Sequence, residues 1–96
     1  MEFQNQQLVK WECNNWYIRE DKLIQICTQD GGSVILNPVF SNIWVNINYE
    51  ITLEELWNKV KDSVTWNQFE NTIEELKLYN LIYIIDVEDE FNLIFG

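Results

Sequence analysis

The chain has 96 residues, 47% of them hydrophobic and 15% aromatic, which is one small domain with enough apolar side chains for a core and not a disordered, collagen-like or linker sequence. Sixteen acids against six bases give a formal net charge of −10, the wrong sign for neutralising nucleic-acid phosphates or an anionic membrane surface. Histidine is absent, which excludes the commonest general base, the commonest metal ligand and every histidine-based nucleophilic dyad.

The first third of the chain is extended. Residues 8–13 (Leu-Val-Lys-Trp-Glu-Cys) predict a strand, and Asn14-Asn15 marks a turn or bulge. Residues 16–19 are extended again, and Arg19-Glu20-Asp21-Lys22 reads as a hairpin turn. Residues 23–28 are short and rich in β-branched side chains, as strands are. Gln29-Asp30-Gly31-Gly32 is a strong turn signal, because Asp-Gly and Gly-Gly supply the positive φ that tight hairpins need. Ser33-Val34-Ile35-Leu36 follows as a short strand. The expectation is an antiparallel meander of three strands, or four if Asn14-Asn15 is a full turn.

Helices come next. Asn37 is a good N-cap and Pro38 suits the first helical position, where its missing N–H costs nothing. Phe40, Ile43, Trp44 and Ile47 then recur at i, i+3, i+4 and i+7, one apolar face. Thr52-Leu53-Glu54-Glu55 reads as a capping box opening a second helix, with Leu53, Leu56, Trp57, Val60 and Val64 inward. Thr65-Trp66-Asn67-Gln68 reads as another, opening a third helix with Phe69, Ile73 and Leu76 inward. Asn80 ends that helix in the left-handed conformation. Residues 81–87 and 91–95 are extended and flank Glu88-Asp89-Glu90, a hairpin with an acidic turn. The predicted class is α+β: a winged helix-turn-helix-like single domain over 1–96, with an N-terminal three-stranded antiparallel sheet, three helices and a C-terminal β-hairpin wing.

Little in the chain carries chemistry. Cys13 and Cys27 lack CxxC spacing, so zinc and redox motifs are not expected, and they read as reduced, small apolar side chains. The acidic turn has no further ligands around it in sequence, and there is no Gly-rich phosphate loop. No apolar run approaches the roughly 18–20 residues that cross a bilayer. The polar opening Met1-Glu2-Phe3-Gln4-Asn5 has no basic flank. No catalytic residue, metal or cofactor is expected, and the expected setting is the cytoplasm.

Gly32-Ser33-Val34-Ile35-Leu36-Asn37-Pro38, then Ile43-Trp44, then Thr52-Leu53-Glu54-Glu55-Leu56, then Phe69, Ile73, Leu76 and Asn80-Leu81-Ile82 form a pattern. In order and spacing, over residues 8–87, it resembles the PqqD-like family, also called RiPP recognition elements. Two positions depart from the family's habit, which is often Gly where Asn80 stands and an acid where Gln68 stands.

The resemblance implies a binding module and not an enzyme. Such domains hold the leader segment of a ribosomally made precursor peptide and present it to a modifying enzyme, such as a radical enzyme, a cyclase or a leader protease. The leader adds as a strand to the edge of the three-stranded sheet, in the cleft between the third strand and the third helix. Carried onto this chain, that assigns peptide binding to Ser33, Val34, Ile35 and Leu36 on the strand. On the helix it assigns Phe69 at the groove end, Ile73 on the inward side, and the i, i+4, i+7 stripe Glu70, Glu74 and Lys77. If the stripe rims the groove, its two acids favour Lys or Arg in the leader; otherwise it is an ordinary solvated face. Trp44 and Trp57 sit at core spacing, whereas Trp11, Trp16 and Trp66 are open to packing or to an exposed anchoring role. A short chain with an open sheet edge can also form a homodimer. Two other functions compete: an acidic adaptor or scaffold that binds only a partner enzyme, and a winged-helix DNA-binding regulator. The regulator's recognition helix, about residues 66–79, carries Glu70, Glu74 and Glu75 against Lys77, a charge balance that repels phosphate.

Overall fold

The computed structural model describes residues 7–86. Among them, three helices and two three-stranded antiparallel sheets form an α+β unit.

The expected meander is present as β2 (Trp16–Ile18), β3 (Ile24–Cys27) and β4 (Ser33–Ile35), in that spatial order. The first hairpin closes with Lys22 at φ 73°. There Arg19 N–H donates to the Leu23 carbonyl at 2.8 Å, and the Asp21 carboxylate accepts the Leu23 N–H at 3.1 Å. The second closes through Gly31 at φ 89°, where the left-handed backbone favours a residue without Cβ. Asp30 accepts the Gly32 N–H at 3.0 Å and the Thr28 hydroxyl.

Residues 8–13 depart from the expectation. The strand they contain, β1 (Gln7–Trp11), does not join the meander. It is the middle strand of the other sheet, between β5 (Glu50–Thr52) and β6 (Ile82–Asp86). Val9 sits opposite both Ile51 and Ile84. The cause is non-local: both edges of β1 are satisfied by segments far later in the chain, which local periodicity does not reveal. The chain changes sheets over residues 12–15. Glu12 N–H donates to the Leu81 carbonyl at 2.9 Å, while the Asn15 carbonyl accepts the Cys27 N–H at 2.8 Å.

The helix starts follow the capping chemistry. In α1 (Pro38–Ile47), Asn37 accepts the Phe40 N–H at 2.9 Å. In α2 (Leu53–Val60), Thr52 accepts the Glu55 N–H at 3.1 Å, which is the forward half of the expected box. In α3 (Trp66–Leu78) the full reciprocal box forms: Thr65 accepts the Gln68 N–H at 3.1 Å, and Gln68 accepts the Thr65 N–H at 2.9 Å. Asn80 at φ 60° ends α3, and Leu81 N–H donates back to the Leu76 carbonyl at 2.9 Å. Val64 lies beyond α2, in the turn before α3, yet its side chain is buried. Between α1 and β5 the chain reverses through two consecutive left-handed residues, Asn48 and Tyr49, at φ 49° and 78°.

One core joins all of this. Ile24 and Ile26 of β3, Val9 and Trp11 of β1, and the apolar faces of the three helices bury together. Each fully buried large aliphatic side chain contributes about 1.5–3 kcal/mol. Trp11, Trp16 and Trp44 form a ring cluster at one end: Trp11 stacks on Trp44 at 5.6 Å, and Trp16 meets Trp11 edge-on at 4.9 Å. Trp57, Trp66 and Phe69 form a second cluster between α2 and α3. The first strand of the expected C-terminal hairpin is β6, paired to β1. The acidic turn and residues 91–95 lie outside the described residues. Among the described residues no helix is long and apolar enough to cross a membrane.

Candidate functional site

β4 is a terminal strand: β3 pairs with it on one side, and no described strand pairs on the other. Its hydrogen-bonding sense follows from the flanking bonds. The Gly32 carbonyl accepts the Thr28 N–H at 2.9 Å, and Leu36 N–H donates to the Ile24 carbonyl at 2.8 Å. Backbone groups alternate along an antiparallel strand. Gly32, Val34 and Leu36 therefore face β3, with Val34 opposite Ile26. Ser33 and Ile35 turn their N–H and C=O groups toward the open edge.

The side chains alternate as well. Ser33 is exposed and Ile35 is half exposed, at 50%. Val34 packs partly against the core and Leu36 is buried. Ile35 belongs to an outward row, Tyr17–Gln25–Ile35, across the three strands. Arg19 donates from its guanidinium to Gln25 Oε1 at 2.9 Å in that row. The far end of β4 is tied down by Ser41 of α1, a buried hydroxyl. Ser41 Oγ accepts the Ile24 N–H and donates to the Leu36 carbonyl, both at 3.0 Å. It completes a ladder that would otherwise end in two buried, unpaired backbone groups.

The five α3 residues expected at the peptide site divide. Phe69 and Ile73 are core residues, 1% and 5% exposed, and Phe69 packs on the Trp57 and Trp66 rings. Glu70, Glu74 and Lys77 are exposed on one stripe, and Lys77 Nζ stands 4.0 Å from Glu74 Oε1. Helix α3 packs on α1 and β6, and on α2 through the Trp57, Trp66 and Phe69 rings. Among the described residues no hydrogen bond or ion pair joins the α3 stripe to residues 33–36. The structure thus gathers the strand residues into one open edge and the charged helix residues into one exposed face. Ser41 is the residue that sequence reading passed over. Its signal was a small hydroxyl side chain between the inward-facing Phe40 and Ile43-Trp44.

Two carboxylates in the hairpin turns titrate low. The Leu23 N–H, then the Arg19 side chain, hold the Asp21 carboxyl below its ordinary value. The Thr28 hydroxyl and the Gly32 N–H do the same for Asp30. Both groups shape turns. Cys13 and Cys27 are free thiols, and Cys13 Sγ donates to the Cys27 carbonyl at 3.3 Å. Among the described residues no three His, Cys, Asp or Glu side chains are grouped to hold a metal ion.

Comparison with protein-family models, with curated proteins and with solved structures finds no match to this chain.

Proposed function

We propose that this protein is a stand-alone peptide-recognition module of the PqqD-like kind. It captures the leader segment of a ribosomally synthesised precursor peptide by β-augmentation at β4 and delivers it to a separate modifying enzyme. It acts by binding alone, without a cofactor. The observation that carries this reading is the open β4 edge, where Ser33 and Ile35 offer two sets of outward backbone groups to an extended chain. The three-stranded meander followed by three helices supports it, and the run of helices into β6 fits the winged-helix plan of such domains. Where the leader runs on to the exposed face of α3, Glu70 and Glu74 favour Lys or Arg in it. A cytoplasmic setting fits the two free cysteines. The same edge can pair two copies of the chain, so leader binding and homodimerisation compete.

The test is calorimetric titration with the leader of the small precursor encoded beside the gene. Ile35→Pro removes an outward N–H, and Val34→Pro removes one that faces β3. Micromolar binding that the folded Ile35→Pro protein loses supports strand addition at β4. Full binding by Ile35→Pro contradicts it.

A second reading, an adaptor that binds only a partner enzyme, is favoured by one observation. Leu78, Tyr79 and Tyr83 are large, exposed hydrophobic side chains near the turn from α3 into β6, and exposed groups of that kind suit a protein partner.

A further inference from the structure

A cavity of about 460 Å³ opens beside the C-terminal end of α1 and is lined by Trp11, Asn14, Trp16, Val45, Asn48 and Tyr49. It is separate from the residues that form the β4 edge. Trp11 is its floor: 8% exposed and stacked from behind on Trp44. Trp16 and Tyr49 stand steeply against that floor, each with its ring centroid 4.9 Å away, at 70° and 59°. Among the described residues, none that lines it carries a charge. Its polar groups include the side-chain amides of Asn14 and Asn48 and the phenol of Tyr49.

Tyr49 is the unusual member. Its backbone is left-handed at φ 78°, a conformation that favours glycine, yet it is a tyrosine, and the residue is 69% exposed. A bulky ring is kept in a strained position, at the mouth of a cavity with aromatic walls.

Aromatic faces carry negative quadrupole potential, and several rings inclined around one space attract a cation. Two amide carbonyl oxygens can accept N–H bonds from that cation. Among the described residues no lysine or arginine lines the cavity to compete for the space, and the net charge of −10 repels an anionic occupant. We infer that this cavity binds an alkylammonium group, presented as a lysine side chain by a partner polypeptide. The cavity is open to the surface and the protein is strongly acidic, which suits a basic polypeptide better than an enclosed small molecule. The inference does not depend on peptide capture at β4.

The indole N–H signals of Trp11 and Trp16 in a nitrogen-15 correlation spectrum read the site directly. The probes are N-acetyl-lysine methylamide, its Nε-acetylated neutral counterpart, choline, and 3,3-dimethylbutanol as the uncharged shape-match of choline. The lysine probe is expected to shift both signals, and its acetylated form to bind about tenfold more weakly. Tyr49→Gly removes a wall while relieving the left-handed strain, so it keeps or raises the thermal midpoint and abolishes the shifts. Tyr49→Asn, which also tolerates that backbone, repeats the loss should the glycine variant fold poorly. Equal binding of the acetylated probe, unchanged binding by both Tyr49 variants, or choline binding more tightly than the lysine probe each overturns the inference, the last in favour of a free quaternary amine.

Discussion

The Trp11 indole N–H donates to the Trp44 carbonyl at 3.0 Å, inside the core and between residues 33 positions apart. That bond fastens the middle strand of one sheet to α1, whose other end holds β4 through Ser41. The Trp44 indole N–H is itself buried and has no partner among the described residues. The two tryptophans therefore respond differently to the same change. Trp11→Phe breaks a buried bond, while Trp44→Phe deletes an unpaired donor, and an unmade buried bond costs about 1–3 kcal/mol. Trp11→Phe is expected to be the more destabilising by roughly 1 kcal/mol, as read from the midpoints of urea unfolding.

Ser41 ties the far end of β4. Ser41→Ala strands the Ile24 N–H and the Leu36 carbonyl, at a cost of about 1–3 kcal/mol. Faster amide exchange is expected at Ile24, with leader affinity falling alongside because the edge is no longer held in register.

Proline separates the two sides of β4. Val34→Pro removes a ladder donor that faces β3 and leaves its acceptor unpaired, at an expected cost of about 1–3 kcal/mol. Ile35→Pro removes an outward donor and is expected to cost well under that. Thermal unfolding of both variants measures the difference, and equal losses contradict the register of Val34 against Ile26.

The turn carboxylates set an acid limit. Asp21 and Asp30 are held below the usual 3.8 in the folded state. The folded state therefore binds fewer protons than the unfolded chain as these groups titrate. Their contribution is present above the unfolded value and is lost as pH falls through the folded ones. Carbon-13 carboxyl titration is expected to show both midpoints below 3.8, with the Leu23 and Gly32 amides exchanging faster at pH values beneath them.

Much of this was legible in the residues because it is local. The Asp-Gly-Gly turn, the Asn37 and Thr65 caps and the Asn80 stop each act within a few positions, and each forms. The second sheet was not legible. β1 pairs with β5 and β6, and nothing near Val9 indicates partners at Ile51 and Ile84. β5 itself is three residues long, and the reversal before it runs through Asn48-Tyr49 without a glycine to announce it. The strand of the candidate site was legible as a local turn–strand–cap sequence, while its peptide-binding role was only what the resemblance implied. On α3, the apolar spacing that makes Phe69 and Ile73 candidates for a groove wall is the same spacing that buries them.

The central claim is that an extended leader adds to β4. The most direct measurement is amide hydrogen exchange at Ser33 and Ile35, with and without the leader peptide. Strand addition predicts that both amides, turned to the open edge in the free protein, become protected by at least tenfold while Val34 changes little. Leader binding that leaves Ser33 and Ile35 exchanging as before would show that the peptide sits elsewhere and would contradict the account.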